Sequence, residues 1–156
     1  MDAAGLKDVK VDLKGRLFVP KAFIESDEDS SGARTSISSL WLTPGLEGCL
    51  WLIDVAEWKR MQRRLRSADI GNAGVRATQR MFFSRSEKLK VDTQGRVLLP
   101  EAHRQRAGIT DRAVLLALVR RIEIWSPDRW QAYRATEEAD YETNLDAILS
   151  GEMGRA

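Results

Sequence analysis

The chain is poor in the residues from which cross-links, metal sites and most active centres are built. Its 156 residues include one cysteine and one histidine. Cys49 has no partner for an internal disulfide, which fits a reducing cytosol. It stands in the apolar run 49–53 and reads as a small buried hydrophobe rather than a reactive thiol. With His103 isolated and no tight cluster of ligands, neither a metal site nor any other cofactor is expected. No apolar run approaches the ~18 residues of a membrane span; the longest, residues 113–119, is strand-sized. Residues 1–5 show no basic stretch followed by an apolar one, so a signal peptide is not expected. Also missing are a Ser/His/Asp or Cys/His set, paired carboxylates on a shared element, and a phosphate-binding glycine loop. An enzyme is therefore the weakest reading.

A strong overall charge is missing too, the net value being +2. Its distribution is uneven. Residues 59–106 hold 13 basic and four acidic side chains, whereas residues 135–156 hold six acids and one arginine. A basic face suited to a polyanion and an acidic tail are one reading; two solvated helix faces are the other.

What the chain does have is a repeat. Lys10-Val-Asp-Leu-Lys-Gly-Arg-Leu-Phe-Val-Pro20 aligns with Lys90-Val-Asp-Thr-Gln-Gly-Arg-Val-Leu-Leu-Pro100, 80 positions on, with six of eleven positions identical. Farther along, Leu50-Trp-Leu52 matches Ile122-Glu-Ile124 and Trp58 matches Trp130, now 72 positions on. The first copy thus carries eight extra residues, assigned to a polar, turn-rich loop around residues 26–34.

Each copy reads alike locally. Val9, Val11, Leu17 and Val19 flank a polar turn whose Gly15 supplies a positive φ, so a β-hairpin is predicted there and at its counterpart around Gly95. Pro20 and Pro100 end the second strand and open a short helix. Phe18 and Leu98 make those strands apolar on both faces, which predicts burial on both sides and interleaving of the two hairpins. Two more strands follow per copy (37–42 with 49–53, and 113–119 with 122–125), then helices over 55–66 and 127–138, started by Asp54 with Glu57 and by Ser126-Pro127-Asp128. The connection 71–83 is partly helical from Gly74, and the tail beyond Asp140 has a weak helical pattern.

An Asp-x-x-Gly-Arg turn followed by three apolar residues and a proline resembles the swapped-hairpin DNA-binding fold of the AbrB type. Two copies, each with a Trp-bearing helix, resemble the MraZ family of bacterial transcriptional regulators. The matching stretches are Asp12 to Pro20, Gly45 to Leu52 with Glu57-Trp58, Asp92 to Pro100, and Ile122 to Trp125 with Trp130, together spanning residues 7–130. The resemblance implies a mainly β fold with short helices (α+β): two tandem AbrB-like swapped-hairpin, β-barrel repeats forming one pseudo-twofold unit. The expected organisation is a first repeat over 7–66, a connection over 67–85, a second repeat over 86–138 and an acidic tail over 139–156. It implies a ring-like homo-oligomer in the cytoplasm, associated with the nucleoid, binding double-stranded DNA at promoter direct repeats. The implied role is autoregulation, usually repressive, of a cell-wall and division gene cluster. DNA contacts carry over to Arg16 and Arg96, with Lys14 beside the first. Two departures weaken the expected affinity. The family's Phe-Arg after the first proline is Phe23-Ile24 here, and residues 27–29 are three acids.

The chemistry is coherent without the family, since arginine forks onto guanine or clamps a phosphate and a two-stranded ribbon fits the major groove. A structural role stands beside it: Asp12 with Arg16, and Asp92 with Arg96, can pair across the turn and hold it. The basic row Lys59, Arg60, Arg63, Arg64 and Arg66 reads as a solvated or subunit-facing surface, and Trp58 and Trp130 as core anchors. Two other classes compete with the regulator. One is an oligomeric interaction ring without operator binding; the other is an antitoxin-like AbrB relative.

Overall fold

The computed structural model describes residue 1, residues 3–25 and residues 37–154. The loop assigned to residues 26–34, with its three acids, lies outside the described residues. Among the described residues eight strands and six helices follow one another: β1 (Ala4–Lys10), β2 (Arg16–Phe18), α1 (Lys21–Ile24), β3 (Ser39–Pro44), β4 (Leu50–Ile53), α2 (Val55–Ser67), α3 (Ala73–Ser84), β5 (Glu87–Lys90), β6 (Arg96–Leu98), α4 (Glu101–Ala107), β7 (Arg112–Leu118), β8 (Ile122–Trp125), α5 (Pro127–Glu137), and, after a 3-10 turn at Glu138–Asp140, α6 (Tyr141–Leu149).

Six strands form one antiparallel sheet in the order β1-β7-β8-β4-β3-β5, and β2 pairs with β6 in a separate two-stranded ribbon. The order makes the repeat visible in space. Exchanging the copies swaps β1 with β5, β7 with β3 and β8 with β4, so a pseudo-twofold axis passes between β4 and β8. There Trp51 faces its own sequence counterpart Glu123. In the ribbon, Leu17 faces its counterpart Val97. The chain is α+β, with two AbrB-like repeats fused into one pseudo-symmetric unit.

The predicted hairpins differ from the observed ones in one respect. The turn closes as expected, with the Asp12 N–H donating to the Arg16 carbonyl at 2.9 Å. Yet its two arms do not pair with each other. β1 pairs with β7 and β2 with β6, both from the other copy. A lone three-residue hairpin buries too little to stand by itself; crossing over lets Leu17, Val19, Val97 and Leu99 share one core. The expectation of two-sided burial is also corrected. Leu17 and Val97 are buried, but Phe18 and Leu98 are 53% and 51% exposed.

Strand alternation sorts the rest of the sheet. Leu40, Leu42, Leu50, Leu52, Leu115, Ile122 and Ile124 point toward the ribbon and make the main core with it. The opposite face carries α2 and α5. Trp41 of β3 stacks on Trp58 of α2 at 4.1 Å, and Trp125 of β8 meets Trp130 and Tyr133 of α5 at 5.5 and 5.1 Å. Both helices start where the sequence says. Asp54 accepts the Glu57 N–H, and Ser126 accepts the Arg129 N–H with Pro127 in the first turn. Cys49 is buried at 4% exposure beside Val114 and Trp125. His103 stands where the first copy has the buried Phe23. It is itself buried, and its Nε2 lies 2.8 Å from the Arg85 carbonyl, tying α4 to the end of α3.

Candidate nucleic-acid interface

The β2/β6 ribbon turns one face inward to the core and the other outward. Its register sets Arg16 opposite Leu98 and Phe18 opposite Arg96. Because side chains alternate, these four leave the core together, while Leu17 and Val97 point inward. The outward face thus holds two guanidinium groups and two apolar groups in a pseudo-twofold square. The Arg96 guanidinium lies 5.9 Å from the centre of the Phe18 ring.

Each arginine is braced from behind. One oxygen of the Asp12 carboxylate accepts the backbone N–H groups of Lys14 and Arg16, both at 2.9 Å, and the other accepts Arg16 Nε at 2.7 Å. Asp92 repeats the pattern with Gln94 at 2.9 Å, the Arg96 N–H at 2.8 Å and Arg96 Nε at 2.8 Å. The backbone bond from each arginine leads in holding the carboxylate below its ordinary range, and the guanidinium adds to it. Since the brace uses Nε, the two terminal nitrogens of each guanidinium have no protein partner among the described residues. Those nitrogens are what a forked contact to guanine or phosphate needs. An arginine fixed in this way loses less freedom on binding than a free one.

The two turns are locked together as well. The Gly95 carbonyl accepts the Val19 N–H and the Gly15 carbonyl accepts the Leu99 N–H, each at 2.9 Å. Gly15 and Gly95 hold φ of 89° and 82°, a region that penalises any residue with a Cβ. The turn-holding role considered for Asp12 and Arg16 therefore coexists with a half-buried guanidinium whose terminal nitrogens have no protein partner among the described residues.

Lys14 is exposed at the first turn, and its counterpart is the neutral Gln94. Sequence reasoning assigns Phe18 and Leu98 to a buried face, whereas both share the outward ribbon face with the two arginines; their alternation with Leu17 and Val97 is the available signal. It also passes over Lys10 and Lys90, exposed on the strands entering the turns, although they are among the six identities of the repeat. The basic row of α2 lies elsewhere. Trp58 seats α2 on the face of the sheet opposite the ribbon, and Arg60 is engaged by Glu57 at 2.7 Å.

The family model described as "MraZ protein, putative antitoxin-like" matches the chain twice, over residues 3–81 and 82–149. The chain belongs to the MraZ family. Each match contains one Asp-x-x-Gly-Arg turn, so the family's two units coincide with the internal repeat. A protein of Heliobacterium modesticaldum named "Transcriptional regulator MraZ" is 34% identical over 143 residues, spanning 92% of this chain and 94% of the relative. Proteins of the same name from Deinococcus radiodurans and Clostridium acetobutylicum are 36% and 33% identical, over 83% and 92% of this chain and 85% and 93% of theirs. No helix among the described residues is long and apolar enough to cross a membrane.

Proposed function

We propose that this MraZ-family chain is a sequence-specific DNA-binding transcriptional regulator that lays its β2/β6 ribbon in the major groove. The observation that carries the reading is the pair of braced guanidinium groups, Arg16 and Arg96, on one outward ribbon face. Arginine forks onto guanine O6 and N7, and an apolar side chain packs on the thymine methyl, so Phe18 and Leu98 supply a second kind of contact. Lys14 adds a point charge for a phosphate at one end. One ribbon offers few contacts, and useful affinity then comes from several ribbons engaging spaced sites together. That argument favours a homo-oligomeric ring on promoter direct repeats, working in the cytoplasm on the nucleoid. The resemblance of the two Asp-x-x-Gly-Arg units extends the reading to autoregulation, repressive in direction, of a cell-wall and division gene cluster.

The test is fluorescence-anisotropy binding to the DNA just upstream of the chain's own gene, with scrambled DNA and the Arg16→Ala/Arg96→Ala double variant beside it, across a salt series. Selective binding that falls steeply with salt, with a slope near −0.9 per phosphate neutralised, is the expected result. The double variant is expected to lose it while keeping its assembly state. Equal affinity for scrambled DNA by an intact assembly overturns the reading, leaves an interaction ring, and returns both arginines to the turns.

A further inference from the structure

The acidic tail and the basic helical layer each leave an apolar surface open, and the two are unlike in the way that mating surfaces are. On α6, Tyr141, Leu145, Ile148 and Leu149 follow the i, i+4, i+7, i+8 spacing of one helical stripe. They are 62%, 39%, 53% and 77% exposed. An amphipathic helix with its whole apolar stripe in water marks an interaction site. Glu142 and Asp146 run along one flank of the stripe, and Glu138, Asp140 and Glu152 extend the acidic surface at both ends. None of these acids forms an ion pair among the described residues.

The complementary surface lies between α2, α3 and the β3–β4 turn. Leu46, Met61, Leu65, Met81 and Phe82 line a groove of about 450 Å³ with Arg85 among its walls. A second cavity of about 370 Å³ shares Met61 and Leu65 and adds Arg64, Arg120 and Arg121. Together they form a trough along α2, apolar on its floor, rich in adaptable methionine and rimmed by cations. Arg64, Arg85 and Arg120 have no carboxylate partner among the described residues. The pseudo-symmetry sharpens the contrast. In the first copy the second helix, α3, lays Phe82 and Phe83 against Trp58. In the second copy, among the described residues, Trp130 meets rings of β8 and α5 only, and α6 is left without such a seat.

We propose that α6 docks in the α2–α3 groove of a second copy of this chain, its leucine and isoleucine stripe on Met61, Leu65 and Met81 and its acids against Arg64 and Arg85. A helix in an apolar groove is a standard recognition mode, read as i, i+3/i+4, i+7 anchors. Because the two surfaces differ, the contact is head-to-tail, and repeating it closes into a ring if the rotation allows. The inference rests on the oligomeric part of the function proposed above and assigns its contact.

The experiment measures the mass of the full-length chain by light scattering after size exclusion. Four variants are compared with the unsubstituted chain: Leu145→Asp/Leu149→Asp, Glu142→Arg/Asp146→Arg, Arg64→Glu/Arg85→Glu, and the two charge reversals combined. Circular dichroism checks the fold of each. The unsubstituted chain is expected at a multiple of 17.6 kDa and the leucine variant at the single-chain mass. Each charge reversal alone should raise the assembly midpoint concentration at least tenfold, and the combination should bring it back. A leucine variant that assembles normally overturns the docking while leaving the oligomer standing, as does a combination that fails to restore assembly. A single-chain mass for the unsubstituted protein overturns the oligomer and the docking together. A full-length Met81→Cys/Leu149→Cys variant, oxidised and run on a denaturing gel, identifies the owner of the groove. A ladder of linked chains supports a neighbour, and a bond closed within one chain overturns it.

Discussion

Replacing Gly15 and Gly95 in turn by alanine separates backbone strain from crowding, because the two glycines hold nearly the same φ, 89° and 82°. A left-handed backbone costs a residue with a Cβ about 1–2 kcal/mol, and this component is common to both sites. The surroundings differ. At Gly95 a Cβ would meet only the Val19 carbonyl at 3.7 Å, an ordinary contact. At Gly15 it would stand 2.6 Å from Arg104 Nε and 2.8 Å from the Leu99 carbonyl oxygen. The arginine can swing away only by giving up its 3.1 Å bond to that same carbonyl. The carbonyl itself is backbone, next to the N–H that Leu99 donates to Gly15. Overpacking of this kind adds about 1–3 kcal/mol. Gly95→Ala should therefore lose about 1–2 kcal/mol and Gly15→Ala about 2–5, or roughly 2–4 °C of Tm per kcal/mol for a chain of this length. Urea unfolding at one fixed protein concentration measures both and keeps any contribution from the proposed assembly equal for the two variants. Equal losses at the two sites, or the larger loss at Gly95, would refute the reasoning.

Three further outcomes are expected. Asp12 and Asp92 have folded pKa values held below the ordinary one, so their contribution is present above the unfolded value and disappears as pH falls through the folded values; a carbon NMR titration should show both midpoints below those of the urea-unfolded chain, and coincident midpoints would contradict the brace. Burial, helped by the negative Glu123, pushes the Cys49 thiol up to about 12, so the native chain should not react with a thiol reagent at pH 8 while the guanidinium-unfolded chain reacts at once. Trp58→Ala removes the ring that stacks on Trp41 and meets Phe82 and Phe83, and should cost about 3–5 kcal/mol in the same urea assay.

Much of this architecture is legible in the sequence because duplication prints it twice. The 80-position shift identifies Arg16 with Arg96 and Gly15 with Gly95, and the two turns have the same hydrogen bonds. The helix starts at Asp54 and Ser126 follow from capping chemistry that acts within a few residues. Strand partners do not follow in that way. The alternation of Val9, Val11, Leu17 and Val19 says which side is inward but not which strand lies alongside, and the partners of β1 and β2 are more than 75 residues away. Phe18 and Leu98 were misplaced for the same reason. An apolar residue is the same letter whether a neighbouring strand covers it or it is held outward beside an arginine. The open stripe of α6 is likewise only a weak helical pattern in sequence, since nothing in one chain's residues names a surface on another.

The fusion of two hairpin units into one chain has a consequence for symmetry. A pair of identical, separately made units would give a ribbon whose two ends cannot be told apart, and such an object is matched to a palindrome. Here Lys14 at one end answers to Gln94 at the other, and Leu13 to Thr93. The ribbon has a head and a tail. Under the DNA-binding function proposed above, its best complement is a site that itself points in one direction, and ribbons related by a head-to-tail contact call for sites that all point the same way.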